Sequence, residues 1–94
     1  MPIRKRVLLV EDHPDTSELI RYELSFGGYD VLIAEDGREA VSASLLLPDI
    51  IIMDMRLPKM NGFEATKRIK ANPKTASIPI LAATALNGDV GNHT

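Results

Sequence analysis

Apolar residues gather in four short runs, separated by longer stretches in which apolar and polar positions alternate at helical spacing. The first run, Val7-Leu8-Leu9-Val10, is aliphatic throughout, the pattern of a strand buried on both faces of a parallel sheet, and it ends abruptly in Glu11 and Asp12. Pro14 presets φ for a first helical turn, and Asp15 and Glu18 suit the positive end of a helix dipole. Leu19, Ile20 and Leu24 supply an apolar stripe before Gly27-Gly28 stops the helix. Val31-Leu32-Ile33-Ala34 predicts a second strand. Asp36 to Glu39 has capping-box spacing and opens a helix expected to run through Leu47, with Pro48 closing it. Ile50-Ile51-Ile52-Met53 is a third buried strand, and it too runs straight into an acid, Asp54. Asn61 to Glu64 repeats the capping-box spacing, with Met60 and Ala65 placed for a hydrophobic staple, and this helix runs to about Ala71 before Asn72-Pro73. Pro79 to Ala83 predicts a fourth strand that starts on a proline, as strands allow at their first position. Residues 87–94, thinned by Gly88, Gly91 and two asparagines, predict neither helix nor strand.

Strands alternating with helices across such short connections imply right-handed crossovers onto one sheet, hence an α/β fold with a doubly wound open parallel sheet. The totals add little to this. Ninety-four residues, 45% of them hydrophobic and 26% charged, fit one globular domain. Thirteen acids against eleven bases leave a net charge of −2, which argues for neither nucleic acid nor an anionic membrane as a partner. Cysteine is absent, so neither a disulfide framework nor a thiolate metal site is available. The basic start is followed by only four apolar residues, too few for a signal peptide or a membrane span, and a cytoplasmic location is expected.

The candidate chemistry follows from topology. In an open α/β sheet the ligand crevice lies beyond the carboxyl ends of the strands, near the point where strand order reverses. Glu11 and Asp12 leave the first strand there, Asp54 leaves the third and Thr84 the fourth. If the first and third strands are neighbours, three carboxylates converge and repel one another unless a cation neutralises them. Oxygen ligands with no imidazole or thiolate expected nearby suit Mg²⁺, which also binds phosphate oxygens. Any one such acid alone is as well explained as a helix cap or a solvated side chain; three together are not. A carboxylate can attack phosphorus to give an acyl phosphate once the equatorial oxygens are neutralised, and Asp54 is the best placed nucleophile.

The acidic pair after the first strand, Asp54-Met-Arg-Leu-Pro-Lys-Met-Asn-Gly62 after the third, and Ala83-Thr84-Ala85 after the fourth together resemble the response regulator receiver domain of two-component signalling systems. The resemblance covers the chain to about Leu86. It implies a flavodoxin-like receiver fold in which Asp54 is the phosphoacceptor and Glu11, Asp12 and Asp54 bind Mg²⁺ with the main-chain carbonyl of Arg56. Thr84 is then the switch hydroxyl, with the small Ala85 leaving access, and a histidine kinase or phosphotransfer protein is the partner. The domain is then a regulatory phosphoacceptor rather than an enzyme, with no nucleic-acid or membrane contact of its own. In that family the chain continues into a fourth helix, a fifth strand carrying a lysine that pairs with the phosphoryl group, and a fifth helix. None of these matches residues 87–94, so residues 1–86 are expected to form a truncated receiver with an irregular tail, either a fragment or a shortened gene product.

Five other residues attract attention and have plainer readings. Met53, Met55 and Met60 suit packing better than a sulfur site, His13 suits a loop beside the pocket better than a phosphohistidine, and Lys59 suits a solvated position. Two alternatives to a working receiver remain: a relic that only binds proteins, and an aspartate-nucleophile phosphatase. The second of these usually carries another acid two residues after the nucleophile, where this chain has Arg56. There is also no P-loop and no Gly-x-Gly-x-x-Gly. Because the family's strand order 2-1-3-4-5 makes the fourth strand internal, the shortened chain is expected to present residues Ile80 to Ala83 as an apolar edge and to self-associate through it.

Overall fold

The computed structural model describes residues 4–57 and 60–83. Its elements follow the apolar runs in order: β1 Arg6–Val10, α1 Pro14–Phe26, β2 Asp30–Ala34, α2 Gly37–Ser44, β3 Ile50–Met53, α3 Gly62–Ala71 and β4 Ile80–Ala82. The four strands are parallel and lie in the order β2-β1-β3-β4, so β1 and β3 are neighbours as the carboxylate argument requires. Register is set residue by residue, Val10 standing opposite both Ala34 and Met53.

Successive side chains of a strand face opposite sides, and burial follows that alternation. Leu8, Val10, Ile51 and Met53 bury themselves on one face with Ala40 of α2 and Ala65 and Ile69 of α3. On the other face Val7 and Leu9 are buried, whereas Ile50 and Ile52 are only half-buried and Leu81 is 55% exposed. Among the described residues, α1 packs on β1 and β2, whereas α2 packs chiefly on α3.

Two expectations about helices need correction. Leu19 does not face the sheet: it is 61% exposed, and the inward positions are buried Ser17 with half-buried Ile20 and Leu24, spaced i, i+3, i+7. Leu19, Tyr22 and Phe26 form a second stripe that points outward, with the Tyr22 and Phe26 rings edge to face at 4.9 Å. Helix α2 also stops earlier than Leu47. The amides of Leu45, Leu46 and Leu47 bond three residues back, to Ser42, Ala43 and Ser44, which tightens the last turn, and Leu47 then swings to φ 57°. The proline that follows disfavours the right-handed helical region for Leu47, which accounts for the early stop.

Candidate functional site

The loops that leave β1 and β3 are held together before any side chain is considered. The amide of Glu11 donates to Ala34 O (3.0 Å), that of Asp54 to Val10 O (3.0 Å), and that of Ala83 to Met53 O (2.8 Å). Glu11, Asp54 and the end of β4 thus leave the same rim of the sheet. Thr84, the next residue, lies outside the described residues, as do Pro58, Lys59, Ala85 and the 87–94 tail.

Glu11 and Asp54 are almost fully withdrawn from solvent, at 1% and 2% exposure. Glu11 Oε2 accepts from the His13 amide at 3.1 Å and lies 3.0 Å from the His13 ring nitrogen Nδ1, whereas Oε1 is buried without a partner. Asp12 is partly exposed. Its Oδ1 lies 3.2 Å from the same His13 nitrogen, a charge contact that lacks hydrogen-bond geometry, so that oxygen is also unsatisfied. Buried carboxylate oxygens without donors are costly, and a cation is the usual remedy. The ligand atoms of Glu11, Asp12 and His13 all lie within 4.8 Å of one another, a group that does not include Asp54.

Asp54 is oriented by its own loop: Oδ1 accepts from the Arg56 amide at 2.9 Å, which places Arg56 directly beside the carboxylate. Behind it, α3 begins so close that a Cβ on Gly62 would stand 2.7 Å from Asp54 O and 2.6 Å from Met55 Cα. Glycine at 62 therefore sets how near the helix approaches the Asp54 loop. Asn61 caps that helix through Oδ1, which accepts from Glu64 N at 2.9 Å, and Asp36 caps α2 the same way through Glu39 N at 2.9 Å. The reciprocal half of the capping box expected at Asn61 is diverted, because Glu64 pairs with Arg68 at 2.9 Å. In the one at Asp36, Glu39 Oε1 accepts from the Glu35 amide at 2.8 Å, one residue before the cap. Met53 is fully buried, and Met55 and Met60 pack against the same core, as the packing reading holds.

A cleft of about 270 Å³ opens beside the acidic pair and is lined by Glu11, Asp12, Glu18, Glu35 and Glu39 among others. Its lining favours cations over anions. His13 caps α1 with extended backbone rather than with its side chain, and its ring turns to the acids. Its pKa is raised above the ordinary value, first by the hydrogen bond to Glu11 and next by the charge of Asp12, with Asp54 contributing more weakly. The sequence placed His13 beside the pocket but missed this engagement, which an exposed loop histidine does not signal.

The response regulator receiver domain family matches residues 7–92. The chain belongs to that family. This receiver domain is 40% identical over 82 residues to RpaA of Synechocystis sp., a DNA-binding dual master transcriptional regulator, a match that covers 86% of this chain and 34% of the regulator. It superposes on the receiver domain of the sensor histidine kinase PA1611 from Pseudomonas aeruginosa PAO1, which holds a magnesium ion in its active-site cleft. The TM-score is 0.82 at 39% identity, over 93% of this chain and 74% of that one. The chemotaxis response regulator CheY4 of Vibrio cholerae gives a TM-score of 0.81 at 33% identity, over 85% and 68%. The chain thus spans about a third of the first transcriptional regulators it matches. It is a flavodoxin-like receiver of two-component signalling, and no helix among the described residues is long and apolar enough to cross a membrane.

Proposed function

We propose that this receiver takes a phosphoryl group onto Asp54 from a phosphohistidine of a histidine kinase or phosphotransfer protein, in the cytoplasm, and changes its binding surface in response. The observation that carries this reading is a carboxylate 2% exposed at the end of a central strand, on the same rim of the sheet as buried acidic oxygens that lack partners. In the transfer an Asp54 oxygen attacks phosphorus, the P–N bond to the donor imidazole breaks, and the imidazole leaves and takes up a proton. The Arg56 amide holds the carboxylate by one oxygen, and the short approach of α3 at Gly62 keeps the loop in place. Glu11, Asp12, Asp54 and the Arg56 carbonyl are the groups assigned to hold Mg²⁺, and the unsatisfied Glu11 and Asp12 oxygens fit a hard cation. Bound there, Mg²⁺ would neutralise charge on the equatorial phosphoryl oxygens. Thr84 is assigned as the hydroxyl that bonds the phosphoryl group and relays its presence to the chain beyond β4. The domain acts as a regulatory phosphoacceptor, and association between copies through β4 is a further part of the reading.

Intact mass after incubation with Mg²⁺ and a small acyl phosphate tests the proposal. One added phosphoryl group is expected in the natural sequence and none in Asp54→Asn, whose amide is a poor nucleophile. No addition in either protein, with the fold intact by circular dichroism, would leave the protein-binding relic as the better reading.

A further inference from the structure

The His13 ring lies against both acids of the pair assigned to the cation, and this feature of the chain goes beyond the acids and carbonyl assigned above. Two ligand atoms bound at a right angle to one ion, each at about 2.0–2.1 Å, lie about 3 Å apart. His13 Nδ1 lies 3.0 Å from Glu11 Oε2 and 3.2 Å from Asp12 Oδ1. Those spacings, now spanned by a hydrogen bond and an ion pair, also match adjacent corners of a coordination polyhedron, and the ligand atoms of all three residues lie within 4.8 Å of one another. The imidazole side chain is 68% exposed, so an ion from solvent can reach it. A second observation is independent of the ring: Glu11, 1% exposed, keeps one oxygen, Oε1, with no donor at all.

We propose that His13 is an additional protein ligand of the cation site, and that the site therefore selects divalent first-row transition ions such as Ni²⁺ or Co²⁺ over Mg²⁺ by more than its oxygen ligands alone provide. Imidazole nitrogen is a good ligand for these ions and a poor one for Mg²⁺, which prefers oxygen throughout. The inference rests on the assignment of Glu11 and Asp12 to the cation. It differs in predicting that nitrogen, not another oxygen, completes the set when a transition ion binds.

The test uses the whole chain with His93→Gln as background, so that His13 is its only imidazole. Ni²⁺ and Mg²⁺ affinities are measured by calorimetry for this protein and for its His13→Gln and Asp12→Ala derivatives. The His13 ring proton is followed by NMR during Co²⁺ addition. Expected are a loss of about tenfold or more in Ni²⁺ affinity on His13→Gln, with Mg²⁺ affinity held within about twofold, and a strongly shifted His13 ring-proton resonance with Co²⁺. Unchanged Ni²⁺ affinity on His13→Gln, an equal loss for both ions, or an unshifted ring resonance would overturn the role of His13. Asp12→Ala separates this from the site itself: it lowers both affinities if the acidic pair holds the cation, whatever His13 does, and leaves both unchanged if the assignment of the acids is wrong.

Discussion

At the scale of single residues, the site gathers carboxylates against one imidazole, with an oxygen of Glu11 and one of Asp12 left without a hydrogen-bond partner. Asp12 is partly exposed whereas Glu11 is buried, so Asp12 is the one of the pair more able to follow an incoming ion. Replacing it by Ala removes a carboxylate assigned to the cation while leaving the core untouched. Mg²⁺ affinity is expected to fall by about tenfold or more, read by titration of backbone resonances around residues 11–13 and 54, and equal affinity in both proteins would remove Asp12 from the site. His13 gives a second prediction. With cations chelated, its ring should titrate with a midpoint above the ordinary 6.5, and Glu11→Gln should bring the midpoint down, since Glu11 is the largest cause of the shift. The sign for stability follows. A histidine whose folded-state pKa is raised contributes stability that is fully present below 6.5 and disappears as pH rises through the raised value. A midpoint at or below 6.5 in the NMR titration would contradict the observed contacts. These residues were legible in unequal degree. Glu11, Asp12 and Asp54 each follow an apolar strand, so topology alone selected them; His13 follows them on a loop, where nothing in the sequence says which way a ring turns.

Elements show where local sequence and packing agree and where they do not. The four strands came out within one or two residues because unbroken aliphatic runs bounded by acids, glycines or prolines have few other uses in a short chain. The first helix was found but its inward face was misread. Ser17, Ile20 and Leu24 face the sheet, so a serine occupies the most buried position of α1 while Leu19 lies outside. A small polar residue is acceptable there because its hydroxyl donates to Pro14 O at 3.1 Å. The end of α2 gives the prediction at this scale. Leu47 adopts a left-handed conformation that costs an L-residue with a side chain about 1 kcal/mol, and it is largely exposed, so little packing is lost on removing its side chain. Leu47→Gly should be neutral or stabilising by up to about 1 kcal/mol, whereas the β-branched Leu47→Val should destabilise by about 1 kcal/mol. Urea unfolding of the three proteins checks this, and a marked loss of stability in Leu47→Gly would mean that the leucine side chain contributes packing that its exposure hides.

For the molecule as a whole, one face of the sheet is closed by α2 and α3, and the other, around Ile50, Ile52 and Leu81, is only partly covered. Strand β4 ends the described sheet, and its pattern is apolar and uncharged. Such an edge pairs readily with another strand, so the chain should self-associate as its concentration rises, and Leu81→Lys should shift the population toward monomer. Sedimentation velocity at several concentrations decides this: a monomer at every concentration, with no effect of the lysine, would dispose of edge pairing. That the sheet is parallel was legible because short connections through helices leave few topologies, whereas the strand order came from the family resemblance and the coverage of each face depends on contacts distant in sequence. The central claim concerns Asp54, and the most direct measurement locates the phosphoryl group chemically. After incubation with Mg²⁺ and a small acyl phosphate, borohydride reduction converts an aspartyl phosphate to the alcohol, and peptide mapping then finds the altered residue. The account predicts conversion of Asp54 alone, dependent on both Mg²⁺ and the phosphodonor. Conversion of another carboxylate, or a phosphorylated product that resists reduction and survives in Asp54→Asn, would contradict it.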